Sequence, residues 1–139
     1  MPLSKPIRVI IDTNIFISFL IGKELTGLKD ILASGDIKII FSEELLNEIT
    51  SVTQRQRLRK YFPIEKVNEL VQLLTIIGEK VLVISEVKVC RDIADNFLLA
   101  LAKDSRADYL VTGDNDLLHI KSFGRTKILS HSQFSKLLV

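Results

Sequence analysis

The feature that most constrains this chain is a repeated alternation. Short, β-branched apolar runs are broken by polar residues and followed by apolar residues at helical spacing. Ile7-Arg8-Val9-Ile10-Ile11 reads as a buried strand closed by Asp12-Thr13-Asn14. Leu25, Leu28, Ile31 and Leu32 then follow a helical period, with Gly35 as a natural stop. Ile37 to Phe41 is a second strand. Ser42 is a good N-cap for the helix after it, with Glu43 and Glu44 favouring the helix dipole and Leu45, Leu46, Ile49 and Val52 as its apolar face. Pro63 starts a further helix with a stripe of Ile64, Val67, Leu70, Val71, Leu74 and Ile77, ended by Gly78. Val81 to Ile84 reads as the third strand, Asp92 to about Arg106 as a helix, and Tyr109 to Thr112 as the fourth strand, broken by Gly113-Asp114-Asn115. Lys127 to Leu129 is a weak fifth strand, and Gln133 to Leu138 a final short helix. Strands alternating with helices predict a three-layer α/β/α fold with a central parallel sheet of about five strands.

The length of 139 residues suits one domain spanning 1–139, long enough to bury a core without disulfides or structural metal. The single cysteine, Cys90, excludes an internal disulfide and a cysteine-rich zinc site, and suits a reducing compartment. The first residues, Met1 to Pro6, carry no signal-peptide pattern, and no apolar run approaches the roughly 20 residues needed to span a bilayer. These features lead us to expect a cytoplasmic protein with no membrane partner. Net charge is only +2, too small to imply nucleic-acid binding by itself. The distribution says more: Arg55, Arg57, Arg59 and Lys60 form a basic cluster, while aspartates sit beside strand ends.

In sheets of this kind ligands bind at the carboxyl ends of the strands. Asp12 ends the first strand and Asp114 the fourth, and the helix starts are expected to bring Glu48 and Asp95 to the same edge. Asp116 follows Asp114 by two residues. Carboxylates gathered in one pocket repel one another and raise each other's pKa, a penalty that a divalent cation removes. Hard oxygen ligands with room for water and phosphate suit magnesium or manganese, which can activate water against a phosphodiester without a Ser or Cys nucleophile. Each acid also has a purely structural use. Asp12 can cap a helix, Glu48 can sit in solvent, Asp92 and Asp95 can form a capping pair, and Asp114 and Asp116 can shape a turn. Asp92 is assigned to capping. Joint placement at one sheet edge is what raises the others above these uses.

These residues resemble the motifs of the PIN-domain ribonucleases. Ile10-Ile11-Asp12-Thr13-Asn14 is similar to the family's opening motif and Ser42 to Ile49 to its second, with Glu48 as the ligand. Asp92-Ile93-Ala94-Asp95-Asn96 with Leu98-Leu99-Ala100 is similar to the third, and Tyr109 to Leu118 to the fourth. The subgroup it most resembles is the VapC-type toxins of toxin–antitoxin pairs, although Ile93-Ala94 departs from a proline common there. The resemblance implies cleavage of single-stranded RNA with Mg2+ or Mn2+, a homodimer and a small antitoxin partner. It gives metal-ligand roles to Asp12, Glu48, Asp95 and Asp114, with Asp116 as a fifth, and supporting roles to Asn14 and Thr112. Arg55, Arg57, Arg59 and Lys60 are candidates for steering RNA phosphates, set against a solvated turn. Phe16 and Phe19 are read as core or dimer contacts, His119 and His131 as surface or capping residues, and Cys90 as buried and inert.

Two rivals are weighed. A phosphohydrolase with an Asp nucleophile needs Asp-x-Asp after the first strand, where this chain has Asn14; a phosphate-receiver domain needs adjacent acids there. A non-catalytic module that only binds RNA or protein should have lost some of the acids.

Overall fold

The structure, a computed structural model, describes residues 6–21 and 35–137, without the side chains of 19–21. The helix expected over Leu25 to Leu32 and the side chain of Phe19 lie outside the described residues. The elements, in chain order, are β1 (Ile7–Ile11), α1 (Thr13–Ile21), β2 (Ile37–Phe41), α2 (Glu43–Thr53), a 3-10 turn (Arg59–Tyr61), α3 (Ile64–Ile77), β3 (Glu79–Lys80), α4 (Ile93–Ser105), β4 (Tyr109–Val111), α5 (Asn115–Ile120), β5 (Ser122–Phe123), β6 (Thr126–Leu129) and α6 (His131–Leu137).

The strands form one six-stranded sheet in the order β3-β2-β1-β4-β6-β5. All pairings are parallel except the short β5–β6 hairpin, which turns at Gly124 with φ 59°. This is the expected α/β class: a mostly parallel central sheet flanked by helices. Successive side chains of a strand point to opposite faces. Val9, Ile10 and Ile11 are all buried, as are Leu110 and Val111, so both faces of the central strands are covered. Each such side chain contributes about 1.5–3 kcal/mol on full burial. The chain builds outward from β1 through β2 to β3, then returns to place β4 on the other side of β1. The point of reversal, between β1 and β4, is where a sheet of this type opens a crevice.

Several local features differ from expectation, among them helix α1 and the short strand β5, to which the sequence pattern assigned no element. The third strand pairs only at Glu79–Lys80, followed by a single further bond from Val81 N to Phe41 O, rather than over Val81 to Ile84. The Asp104 carboxylate takes the N–H groups of Ile84 and Ser85 at 2.7 and 2.8 Å, and also the Ser85 hydroxyl, so these donors bond to α4 instead of a ladder. Leu82 and Ile84 are left about four-fifths exposed. Helix α5 was not expected. Asp114, read as a strand breaker, is also its N-cap, accepting from the backbone of Asp116 and Leu117. The last helix begins at His131, two residues before Gln133. Gly78 ends α3 for a steric reason: a Cβ there would lie 2.6 Å from the Leu74 carbonyl and 2.9 Å from the Phe41 ring.

Candidate metal centre

The ends of β1 and β4 set the frame. Ile11 is in register with Val111, and Asp12 N donates to Val111 O at 2.9 Å, which puts Asp12 beside the Thr112–Asp114 turn. The buried Thr112 hydroxyl joins the two strand ends. It donates to Asp12 Oδ2 at 2.8 Å and accepts from Asp114 N at 3.0 Å. Asp12 is itself buried, and burial pushes its carboxyl up, with the Asp114 charge adding to the effect. The hydrogen bonds from Thr112 and from the Thr13 and Asn14 backbone oppose that rise. Asn14 is exposed, so its observed support comes from its backbone.

Helix α4 delivers Asp95. Asp92 caps the helix by accepting from Ala94 N at 2.9 Å, which orients the first turn and places Asp95 against the β4 end. Asp95 is 5% exposed, and its Oδ2 is buried with no hydrogen-bond partner. A buried polar atom left unpaired costs about 1–3 kcal/mol, more when charged. Burial, and then the charges of Asp114, Asp92, Asp12 and Asp116, push its carboxyl up to about 6. Asp95, Asp114 and Asp116 each present an oxygen within 4.8 Å of the others. Only Oδ1 of Asp114 is engaged by the start of α5, and Asp116 is held from outside by Arg91 at 3.0 Å.

This donor set fits a hard divalent cation. Its oxygens are all carboxylate, they converge on one point, and one of them is orphaned in the interior. Of the residues singled out from sequence, Asp95, Asp114 and Asp116 form the group, with Asp12 tied to it through Thr112. Glu48 is exposed on α2 and is not one of that group; the main charge effects on Asp95 come from the aspartates. Arg55, Arg57, Arg59 and Lys60 are exposed in and before the 3-10 turn, with Lys60 Nζ over the Tyr61 ring at 5.0 Å. Phe16 is buried in the core, and His119 is exposed. Cys90 is half-buried rather than buried; burial and then the nearby aspartates raise its thiol, which lowers the share of reactive thiolate.

Two residues were missed. Arg91 makes an exposed pair with Asp116, and Asn96 clamps the loop before α4, accepting from Val89 N and Cys90 N and donating to Cys90 O. Their positions flanking Asp92 and Asp95 were the available signal, but nothing in the spacing separates a clamp from a solvated side chain.

No described helix is long and apolar enough to cross a membrane. Comparison with known proteins agrees with the geometry. The chain is 34% identical over 120 residues to the uncharacterized protein MJ1680 of Methanocaldococcus jannaschii, covering 83% of this chain and 76% of that one. Residues 8–116 match the PIN domain, a span that begins in β1 and ends on Asp116. PIN domains are typically nucleases that use divalent metals, and this chain belongs to the PIN-domain family.

Proposed function

We propose that this protein is a divalent-metal-dependent endoribonuclease, with the whole chain acting as a single PIN-like nuclease domain. The observation that carries the reading is the buried, unpartnered Oδ2 of Asp95, set against Asp114 and Asp116. Asp12, Asp95, Asp114 and Asp116 would hold Mg2+ or Mn2+, and Glu48 is proposed as a further ligand from α2. The bound cation would supply water activation and stabilisation of the leaving oxygen. The chain's own residues do the rest. Thr112 fixes the Asp12 carboxylate by donating to Oδ2. The start of α5 holds Oδ1 of Asp114, aiming its other oxygen. Asn96 fixes the loop that leads into α4.

Within this reading the protein is the toxin of a VapC-like toxin–antitoxin pair, acting on RNA in the cytoplasm, and it forms a homodimer and binds a small antitoxin. Support for that finer assignment is the resemblance to the VapC-type subgroup; the order of the four motifs supports the PIN-domain reading itself. The test is RNA cleavage by the purified chain with Mg2+, Mn2+ or EDTA, beside folded Asp12→Asn and Asp95→Asn variants. Cleavage that requires metal and is lost in both variants supports the reading. Equal cleavage by the variants would sink the mechanism. A wild type that binds RNA but cleaves none with any divalent cation would instead favour a non-catalytic binding module. Co-expression with a short neighbouring reading frame, followed by sizing, tests the partner and the dimer.

A further inference from the structure

A second cleft, of about 710 Å3, opens at the amino end of the sheet, opposite the acidic centre. The starts of β1, β4 and β6 and the end of α4 line it, and its charged residues are Arg8, Arg106, Arg125 and Lys127 against the single carboxylate of Asp108. These charges divide into two sets. Arg8 is consumed by a two-pronged pair with Glu79 at 2.9 and 2.7 Å and by bonds to Ser105 O. Asp108 is consumed by Arg8 N at 2.9 Å and by Arg125 at 2.8 Å. Arg106 and Lys127 are exposed and have no carboxylate partner among the described residues. The end of a helix normally repels anions, but here the Arg8 guanidinium covers the Ser105 carbonyl.

Arg106 adds an independent sign. It closes α4 in the left-handed conformation, with φ 55° and ψ 44°, where glycine is the residue of least strain. A non-glycine residue there costs on the order of 1 kcal/mol, and at this position the chain accepts that cost and gains a free guanidinium facing the cleft.

We propose that this cleft binds phosphate groups of a single-stranded RNA backbone, with Arg106 and Lys127 as the contacting cations, at a site separate from the acidic centre. The RNA assignment rests on the ribonuclease reading. β1 separates the two sites: five residues at roughly 3.3 Å each place them on the order of 15 Å apart. A strand several nucleotides long can reach both.

The test is fluorescence anisotropy in EDTA, with a labelled twenty-nucleotide oligouridylate and a labelled trinucleotide as probes. Wild type is compared with an Arg106→Gly/Lys127→Gln variant, in which glycine relieves the strained backbone rather than endangering the fold. The double variant should bind the long probe about tenfold more weakly, and its salt slope should shrink by about 1.4 for two lost phosphate contacts. The trinucleotide, short enough to contact the cleft alone, should bind wild type weakly and the variant more weakly still. An unchanged affinity and slope for the long probe overturns the proposal. Inorganic phosphate that binds wild type and not the variant, with no gain from RNA length, overturns the RNA assignment. Cleavage is measured separately with Mn2+. Cleavage with unaltered variant binding removes the cleft and keeps the nuclease, whereas weakened variant binding by a protein that never cleaves supports the cleft and removes the nuclease.

Discussion

The two ends of the parallel sheet treat charge in opposite ways. At the amino end, Arg8 meets Glu79, and Asp108 meets Arg125 and the Arg8 backbone. These opposite charges are matched, partly exposed, and tie β1, β3, β4 and the end of α4 together, while Arg106 and Lys127 are left over at the cleft. At the carboxyl end, acids face acids. Asp95 is buried against Asp114 with an oxygen unpaired, and Asp12 is buried next to them. Arg91 stands outside this acidic group and pairs with Asp116, and a further matched pair at this end, Lys80 with Glu43, lies away on β3 and α2. Matched charges of the first kind serve the fold. Unmatched ones of the second kind weaken it, so their retention points to a ligand that arrives later.

The contrast can be broken most severely at Asp95. Asp95→Asn should lower metal-dependent RNA cleavage by at least about a hundredfold, measured under single-turnover conditions with Mn2+. The same change should help the metal-free fold. A carboxyl raised from 3.8 to about 6 binds its proton more tightly in the folded state. Its effect on stability is therefore absent below about pH 4, grows as a penalty between the two values, and is complete above about 6. In EDTA at pH 7.5, Asp95→Asn should be more stable than wild type by about 1–2 kcal/mol, and the two should converge near pH 4. Wild-type affinity for Mn2+ should fall as pH drops through 6, because protons compete for the same oxygens. A metal-free variant less stable than wild type at pH 7.5 would refute the argument from burial and repulsion.

Asn96→Ala should cost about 1 kcal/mol, since it removes the bonds that hold the loop at Val89 and Cys90; denaturant midpoints measure it, and Mn2+ affinity should weaken alongside. At the other end, Arg8→Ala should cost about 1–2 kcal/mol by chemical denaturation while leaving cleavage of a short RNA within twofold of wild type. If that substitution instead removed cleavage, the two ends would not be separable. The smallest effect is expected at Arg91. Arg91→Ala frees the Asp116 carboxylate and should tighten Mn2+ binding by about two- to threefold, read by calorimetry.

Much of this arrangement could be read from the sequence, and the exceptions have physical causes. β1, β2 and the core of β4 are runs of β-branched and aliphatic residues that only a doubly covered sheet accommodates, and they fall close to where the pattern put them. The third strand did not, because Val81 to Ile84 carries the right alternation but its end is drawn to Asp104, which takes the N–H groups of Ile84 and Ser85 from about twenty residues away in the chain. Helix α5 was hidden because one aspartate both breaks a strand and caps a helix. At the site, sequence named the acids at strand ends and helix starts. It could not distinguish Asp95, sealed into the protein, from Glu48, which is exposed, since both sit on amphipathic helices next to similar neighbours. Burial depends on what packs over a residue, and that is a property of the assembled layers.

The Thr112 hydroxyl has a consequence for readiness. Its one proton is committed to Asp12 and its oxygen to the Asp114 backbone, so it cannot turn without losing a buried bond on one side. The Asp12 carboxylate is thereby tied through a neutral crosspiece to the Asp114 backbone, while the start of α5 holds the Asp114 carboxylate itself. The organising cost of the pocket is therefore met during folding, and an incoming cation finds its oxygens standing in place rather than having to gather them.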